Sequence, residues 1–443
     1  MDCSINVDSI PQTDALPHPP KRKKKCEATV PENDNNNCHC SFFVLRKKRY
    51  CKMTVKEGEA YCGEHKKISS DVPETEVTKD SPTRIICPLD GKHTCYAHNL
   101  KKHLKICNAR PKPTAPYISK GINNCGSDEA DMDNSYNLLS TFSEADIVKT
   151  IAKVNGIYQE LIKEKITEKQ LKNNLLEEEM SKPDYGPKTK KHLQQVSSIL
   201  GLIKEYGMMK PETCYIEFGA GRGQLSFWLA KMIEDDDTSK ILLVERASPK
   251  HKKDNKLAKT SDKVCRIRAD ISDIVLDKVD VITNSSNIIG VTKHLCGEAT
   301  DLAVRSLGNI KENNWKVGGC ILTFCCHHRC RWVPYTGKDF FKENNLGKTD
   351  FDIMCGMASW ATCGTGLSRE LRKHVSETDL KPNERDVIMG LTRQEKEEVG
   401  RKSKNILNWG RLHFLEKLNF KCYLHHYVDQ TVTLENVCIV AMR

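Results

Sequence analysis

The chain has 443 residues, enough for two or three domains. It carries 70 Lys+Arg against 59 Asp+Glu, a formal net charge of +11, which favours an anionic partner, nucleic acid first. No apolar run is long enough for a membrane span and no hydrophobic segment follows Met1, so the 21 cysteines are expected as thiols or metal ligands in a reducing compartment.

Residues 1–37 are expected to form a disordered, basic tail. Pro17 to Lys25 reads P-H-P-P-K-R-K-K-K, which resembles a nuclear localisation signal or is a plain basic tail, so nucleus and cytoplasm are both expected compartments. Residues 38–67 form a first module. Cys40, Cys51 and Cys62 are separated evenly, and Cys62-x-x-His65 closes the set. Four nitrogen and sulfur donors suit tetrahedral Zn²⁺. The segment has only Phe42, Phe43, Val44, Leu45 and Tyr61 to build a core. Zinc binding, worth on the order of 10 kcal/mol in finger peptides, supplies the deficit. Cys38 is an alternative to Cys40, and spacing leaves both open.

Residues 84–110 form a second module, Cys87-x5-His93-x9-His103-x3-Cys107. His103 and Cys107 share one face of a helix expected from about Tyr96 to Ile106. The spacing resembles the CHHC zinc fingers of RNA-related proteins. Cys95 and His98 are spare donors. Arg46-Lys47-Lys48-Arg49 and Lys101, Lys102 and Lys105 either neutralise phosphates or simply face solvent.

Residues 111–142 read as linker, extended through the prolines and then polar and acidic. A helical arm is expected over 143–207. Ser143 is placed to cap a helix reaching Met180, with an apolar stripe of Ile147, Ile151, Val154, Ile157, Tyr158 and Leu161. That stripe packs on the following domain or, alternatively, on a coiled-coil partner. A second helix is expected from Lys190 to Tyr206.

Residues 208–443 begin with a buried strand, Cys214 to Phe218. Gly219-Ala220-Gly221-Arg222-Gly223 follows, then a helix from Gln224. Strand, glycine turn and helix are the first unit of a doubly wound α/β sheet. The run is G-x-G-x-G, not the G-x-G-x-x-G of dinucleotide sites, and Glu217 stands just before it. A carboxylate there repels pyrophosphate and attracts an ammonium or sulfonium centre. The second strand, Lys240 to Val244, ends in Glu245, where a carboxylate binds ribose hydroxyls. A ribose and a positive centre without a diphosphate point to S-adenosyl-L-methionine. The alternative is a turn that serves packing alone. A third strand, Val264 to Ala269, leads to Asp270, placed to accept from the adenine amine.

A fourth strand, Ile288 to Thr292, ends in Lys293-His294, where the transferred methyl is expected. A fifth, Gly319 to Cys325, ends in Cys326-His327-His328-Arg329-Cys330. Donors on adjacent residues of an extended chain point apart, so this cluster is read as a substrate-facing loop rather than a metal site. An insertion spans about 332–410. Within it a helix from Arg393 to Trp409 bears Lys396, Arg401, Lys402 and Lys404, with Arg411 just beyond, and is expected to grip an RNA backbone or face solvent. Phe420 to Val428 and Leu434 to Met442 read as an antiparallel hairpin closing the sheet. The expected fold class is α/β: a class I, Rossmann-like, seven-stranded methyltransferase domain after two zinc modules and a helical arm.

Cys40-Ser41-Phe42-Phe43, Tyr61-Cys62-Gly63-Glu64-His65, the CHHC module, Lys293-His294-Leu295-Cys296-Gly297-Glu298, Cys325-Cys326-His327-His328-Arg329-Cys330 and Ser359-Trp360-Ala361-Thr362-Cys363-Gly364 resemble the eukaryotic tRNA acceptor-stem 2′-O-methyltransferase family. The resemblance covers nearly all of 38–443, in order. It implies S-adenosyl-L-methionine as donor and the ribose of nucleotide four in certain tRNAs as target. The implied reaction is in-line attack of the 2′-hydroxyl on the sulfonium methyl. Under it, Lys293 is expected to stabilise the developing alkoxide, His294 to act as base and Asp301 to orient either one. The alternative is that Lys293 and His294 only contact cofactor or phosphate. Rival classes are a protein or small-molecule methyltransferase, and an RNA-binding protein with an inactive methyltransferase fold.

Overall fold

Cys214, Ile216 and Phe218 point to one side of a central strand and Tyr215 to the other, and all are buried. A strand covered on both faces reads as a continuous apolar run, which is why it was legible. The computed structural model describes residues 39–44, 49–55, 57–62, 65, 84–91, 93–107, 109–110, 115–125, 135–257, 262–310, 316–363 and 387–443. The basic run at 17–25, Cys38 and Lys47-Lys48 lie outside the described residues. The chain divides into one unit up to Pro113 and a second from Thr114.

The first unit holds two small antiparallel ribbons. One pairs Phe43–Val44 with Arg49–Tyr50, and the other pairs Arg84–Ile86 with Thr94–Tyr96 ahead of a helix over Leu100–Ile106.

The second unit is built on a nine-stranded sheet. Its strands are β1 (Ile166–Glu168), β2 (Thr213–Phe218), β3 (Lys240–Val244), β4 (Val264–Ile267), β5 (Asn287–Val291), β6 (Leu295–Cys296), β7 (Val317–Cys325), β8 (Lys421–His426) and β9 (Val437–Met442). The order across the sheet is β1-β8-β9-β7-β5-β2-β3-β4, with β6 beside β7. β4, β3, β2, β5 and β7 run parallel, and β9 is antiparallel to both β7 and β8. The order reverses between β2 and β5, the place where open α/β sheets bind ligands. One face packs on α2 (Pro187–Glu205) and α3 (Gln224–Met232) through Leu193, Ile199, Leu225 and Leu229. The other packs on α4 (Ala299–Gly308) and the end of α7 (Arg393–Lys417) through Ala303, Leu307, Leu412 and Leu415. A third apolar cluster joins α1 (Glu144–Ile157), α5 (Lys338–Glu343), α6 (Lys348–Ala358) and α7.

The arm departs from expectation. Ser143 caps α1, its hydroxyl accepting from Asp146 N–H at 3.2 Å. The α-helix then stops at Ile157, passes through a π-turn and becomes β1, which pairs parallel with β8. Ile147, Ile151 and Val154 are buried against the insertion helices. Residues 115–125 are no free linker. Ile118 bridges Ile274, and buried Asn123 donates to the Ile271 and Ile274 carbonyls at 2.8 Å each.

Two of the cations of α7, Lys404 and Arg411, are spent inside the fold, which corrects their assignment to RNA. Lys404 is buried and pairs with Glu435 at 2.6 Å. Lys402 reaches Glu398 at 2.7 Å and Asn155 at 2.9 Å, and Lys396 lies 5.0 Å from the Trp360 ring centre. Arg411 lies within the helix, not beyond it, and is 1 % exposed. Its Nε and Nη2 form a fork to Asp301 at 3.0 and 2.8 Å, and Nη1 donates to Asn408 at 3.0 Å. The Thr336 N–H and hydroxyl add two bonds to the same carboxylate, both 3.2 Å. Asp301 is therefore fully committed to tying α4, α7 and the Thr336 loop together, and it does not orient Lys293 or His294. Removing one partner of such a buried pair leaves an uncompensated charge. Asp301→Ala is expected to cost about 3–5 kcal/mol. The check is the urea midpoint, which a purely catalytic aspartate would leave in place.

Candidate active site

Three left-handed glycines carry the chain off the end of β2. Gly219, Gly221 and Gly223 have φ of 65°, 51° and 71°. At Gly223 a Cβ would also meet Arg266, Asp254 and Leu243 at 2.9 Å. The turn is held to β3 by Gly219 and Ala220 N–H groups donating to the Val244 carbonyl at 3.0 and 3.2 Å. Glu245 then accepts from Gly221 N–H at 2.9 Å and from Ala247 N–H at 2.8 Å.

These strand ends border a cavity of about 660 Å³, a size typical of small-molecule sites. Gly219, Glu245, Asp270, His294 and Cys296 line it, with Asn124 and Cys125 supplied by the 115–125 segment. Val244, Ile271 and Leu295 give it apolar walls. Asp270 accepts from Ser272 N–H at 3.1 Å and lies 3.6 Å from Arg246. The wall thus mixes charged and polar groups, Arg246 and Arg329 among them, with apolar surface.

Glu217 has a different place from the one expected. It is buried beneath the turn and is not on the cavity wall. Its carboxylate accepts from Ser226 N–H at 2.9 Å and from the Ser226 hydroxyl. Ser226 is the third residue of α3, and Gly223 has no side chain with which to cap that helix, so Glu217 fills the cap from the strand. Burial pushes its carboxyl up to about 7, opposed by the Ser226 bonds and by the charge of Lys293.

Lys293 and His294 face different ways. Lys293 is off the cavity wall, its Nζ donating to His192 Nδ1 on α2 at 3.1 Å. Burial lowers its ammonium to about 8, while the Glu217 charge resists. His294 is on the wall, with a left-handed backbone, φ 66°. Its buried Nε2 has no hydrogen-bond partner. Strained backbone at a non-glycine residue is kept where function requires it. Burial, then the neighbouring Lys293 charge, lowers the imidazole to about 4, so it is neutral at physiological pH. His192 was missed because nothing in its own helix distinguishes it; its ring stands edge-on to His294 at 5.9 Å.

The two finger clusters are local and close. Donor atoms of Cys40, Cys51, Cys62 and His65 lie within 4.8 Å of one another, as do those of Cys87, His93, His103 and Cys107. Cys87 and Cys107 sulfurs are 3.8 Å apart and the His93 and His103 Nε2 atoms 3.2 Å apart. Tetrahedral zinc sets edges of about 3.8 and 3.3 Å for such pairs. Cys95 is buried in its strand, His98 is exposed, and neither joins the cluster.

The family profile described as "Methyltransferase TRM13" matches residues 194–442, more than half of the chain. The chain belongs to the TRM13 methyltransferase family. The profiles "CCCH zinc finger in TRM13 protein" and "U11-48K-like CHHC zinc finger" match residues 39–66 and 84–108 of this TRM13-family chain. The mouse protein named "tRNA:m(4)X modification enzyme TRM13 homolog" is 33% identical, covering 91% of this chain and 94% of its own length. Its human counterpart is 32% identical with the same coverage. A relative from Scheffersomyces stipitis, "tRNA:m(4)X modification enzyme TRM13", is 31% identical over 89% of this chain and 98% of its own. The two N-terminal clusters are zinc-binding sites of this family's finger types.

Two expectations follow. A carboxyl whose folded pKa is raised stabilises the fold fully below its ordinary value near 4.5, and that contribution is lost as pH rises through about 7. Glu217→Gln is therefore expected to be more stable than the parent at about pH 8 by ~2 kcal/mol, with no gain at about pH 4, as read from urea midpoints across pH. Cys87→Ser is expected to lose one equivalent of zinc by elemental analysis while zinc at the first module stays.

Proposed function

We propose that this chain transfers a methyl group from S-adenosyl-L-methionine to the 2′-hydroxyl of nucleotide four in the acceptor stem of tRNA. The observation that carries the reading is the cavity at the strand ends, with His294 on its wall and the buried Nε2 of that ring left without a hydrogen-bond partner. The relatives' names, tRNA modification enzymes of m(4)X type, supply the substrate class.

The cavity fits this donor. Glu245 offers carboxylate lone pairs to ribose hydroxyls, and Asp270 accepts from an exocyclic amine. The apolar walls cover an adenine ring, and the carboxylates disfavour a diphosphate. When bound, the donor supplies an activated sulfonium methyl. What the chain must add is position and a proton acceptor. The hydroxyl sheds its proton as the new C–O bond forms, when it has become strongly acidic. A weak base suffices for that step, and neutral His294 is one. Lys293 is a positioning residue in this scheme. Its Nζ is bonded to His192, and its charge adds to the burial that keeps His294 unprotonated. Lys101, Lys102 and Lys105, exposed on the finger helix, are assigned to tRNA phosphates. Nuclear entry through the 17–25 basic run belongs to the same proposal.

His294→Ala is expected to lower kcat by about 10²–10⁴-fold with donor affinity nearly unchanged, measured on unmodified tRNA transcripts with labelled donor. Lys293→Met is expected to shift the acid limb of the kcat–pH profile upward, because removing the cation lets His294 hold its proton to higher pH. An unmoved limb rules out this role for Lys293, and ribose methylation at a position other than nucleotide four rules out the assigned target.

A further inference from the structure

The run Cys325-Cys326-His327-His328-Arg329-Cys330 is not used by the reaction just described. The structure changes how it reads. β6 and β7 are parallel, with Cys296 directly opposite Cys325, so their thiols stand side by side on one face. In a continuing strand Cys326 would point to the other face. It does not, because its backbone turns left-handed at φ 53° and ψ 51°. The turn brings its sulfur to 3.2 Å from that of Cys325. All three sulfurs then lie within 4.8 Å of one another.

The histidines and the last cysteine go elsewhere. His327 is buried, with Nε2 bonded to Asn408 Oδ1 at 2.9 Å, and Cys330 sits 3.1 Å from Arg411 Nη2. What remains is a sulfur-only donor set at the mouth of two loops. Those loops are already in close contact: a Cβ on Gly297, φ 59°, would meet the Arg329 carbonyl carbon at 2.7 Å. A left-handed non-glycine residue is retained where the arrangement demands it. Three thiolates suit a thiophilic ion, and this family's chain already keeps zinc in two thiolate sites.

We propose that Cys296, Cys325 and Cys326 hold a third zinc ion, separate from the two finger ions. The fourth position is left to water or to a group entering the cavity, whose wall Cys296 shares. Three protein ligands with one open place is the pattern of zinc sites that border reacting groups. The ion ties β6, which directly follows His294, to the end of β7 and the loop after it. It therefore fixes the proton acceptor from two residues away along the chain.

The test is elemental analysis of the full chain, purified with a thiol reductant and without chelator, together with alkylation mapping. Three zinc ions per chain are expected in the parent and two in Cys296→Ser and in Cys326→Ser. In the parent, Cys296, Cys325 and Cys326 are expected to resist iodoacetamide and to become labelled together once a chelator is added. Two zinc ions in the parent, copper in place of the third zinc, or three ions retained by Cys296→Ser overturns the proposal. So does labelling of the three thiols that is indifferent to chelator, or a disulfide among them. The parent's count and labelling do not depend on whether any variant folds.

Discussion

The site depends on where the central pair of parallel strands stops. β2 and β5 are hydrogen-bonded in register, with Glu217 opposite Val291. Both chains then leave the sheet within a few residues, one through left-handed Gly219 and the other through left-handed His294. Leaving in this way opens the crevice between diverging connections that a doubly wound sheet offers to ligands. The glycine exit is sterically free, whereas the histidine exit carries strain that its surroundings must hold. Thr323 does part of that holding, accepting from His294 N–H through its hydroxyl at 3.2 Å.

Charge inside the domain is arranged by depth. The deepest cation, Arg411, has a full fork and is structural. Lys293 is less deep and has a histidine for its nearest partner, so burial lowers its proton affinity. Glu217 is pushed the opposite way by the same burial. These three groups show one physical rule, that a buried charge is either paired or made easier to discharge. The cavity wall carries a neutral imidazole and carboxylates, together with Arg246 and Arg329.

Much of this was legible in the sequence because its causes are local. The strand runs are apolar on both faces, and the finger donors lie within short segments whose spacing limits the geometry. The glycine turn and the carboxylates after β3 and β4 were placed by strand ends alone. Features set by distant partners were not legible. Asp301 and Arg411 are 110 residues apart, and nothing near Asp301 announces its partner. Lys404 finds Glu435 only because β9 folds back beside α7. β1 is three residues set among lysines and glutamates, too short to show an alternating pattern. The close approach of the Cys325 and Cys326 sulfurs was not legible because adjacent residues of an extended chain point apart, and one left-handed residue, Cys326, departs from that geometry.

β1 also changes the outline of the sheet. Without it the border on that side would be β8, a six-residue strand offering a long row of unpaired backbone groups. With it the border is three residues long, set between Lys165 and Lys169. The opposite border, β4, is four residues long. Such brief margins are poor templates for another chain's strand. The domain can thus be crowded around a polyanion without its sheets knitting together into fibrils.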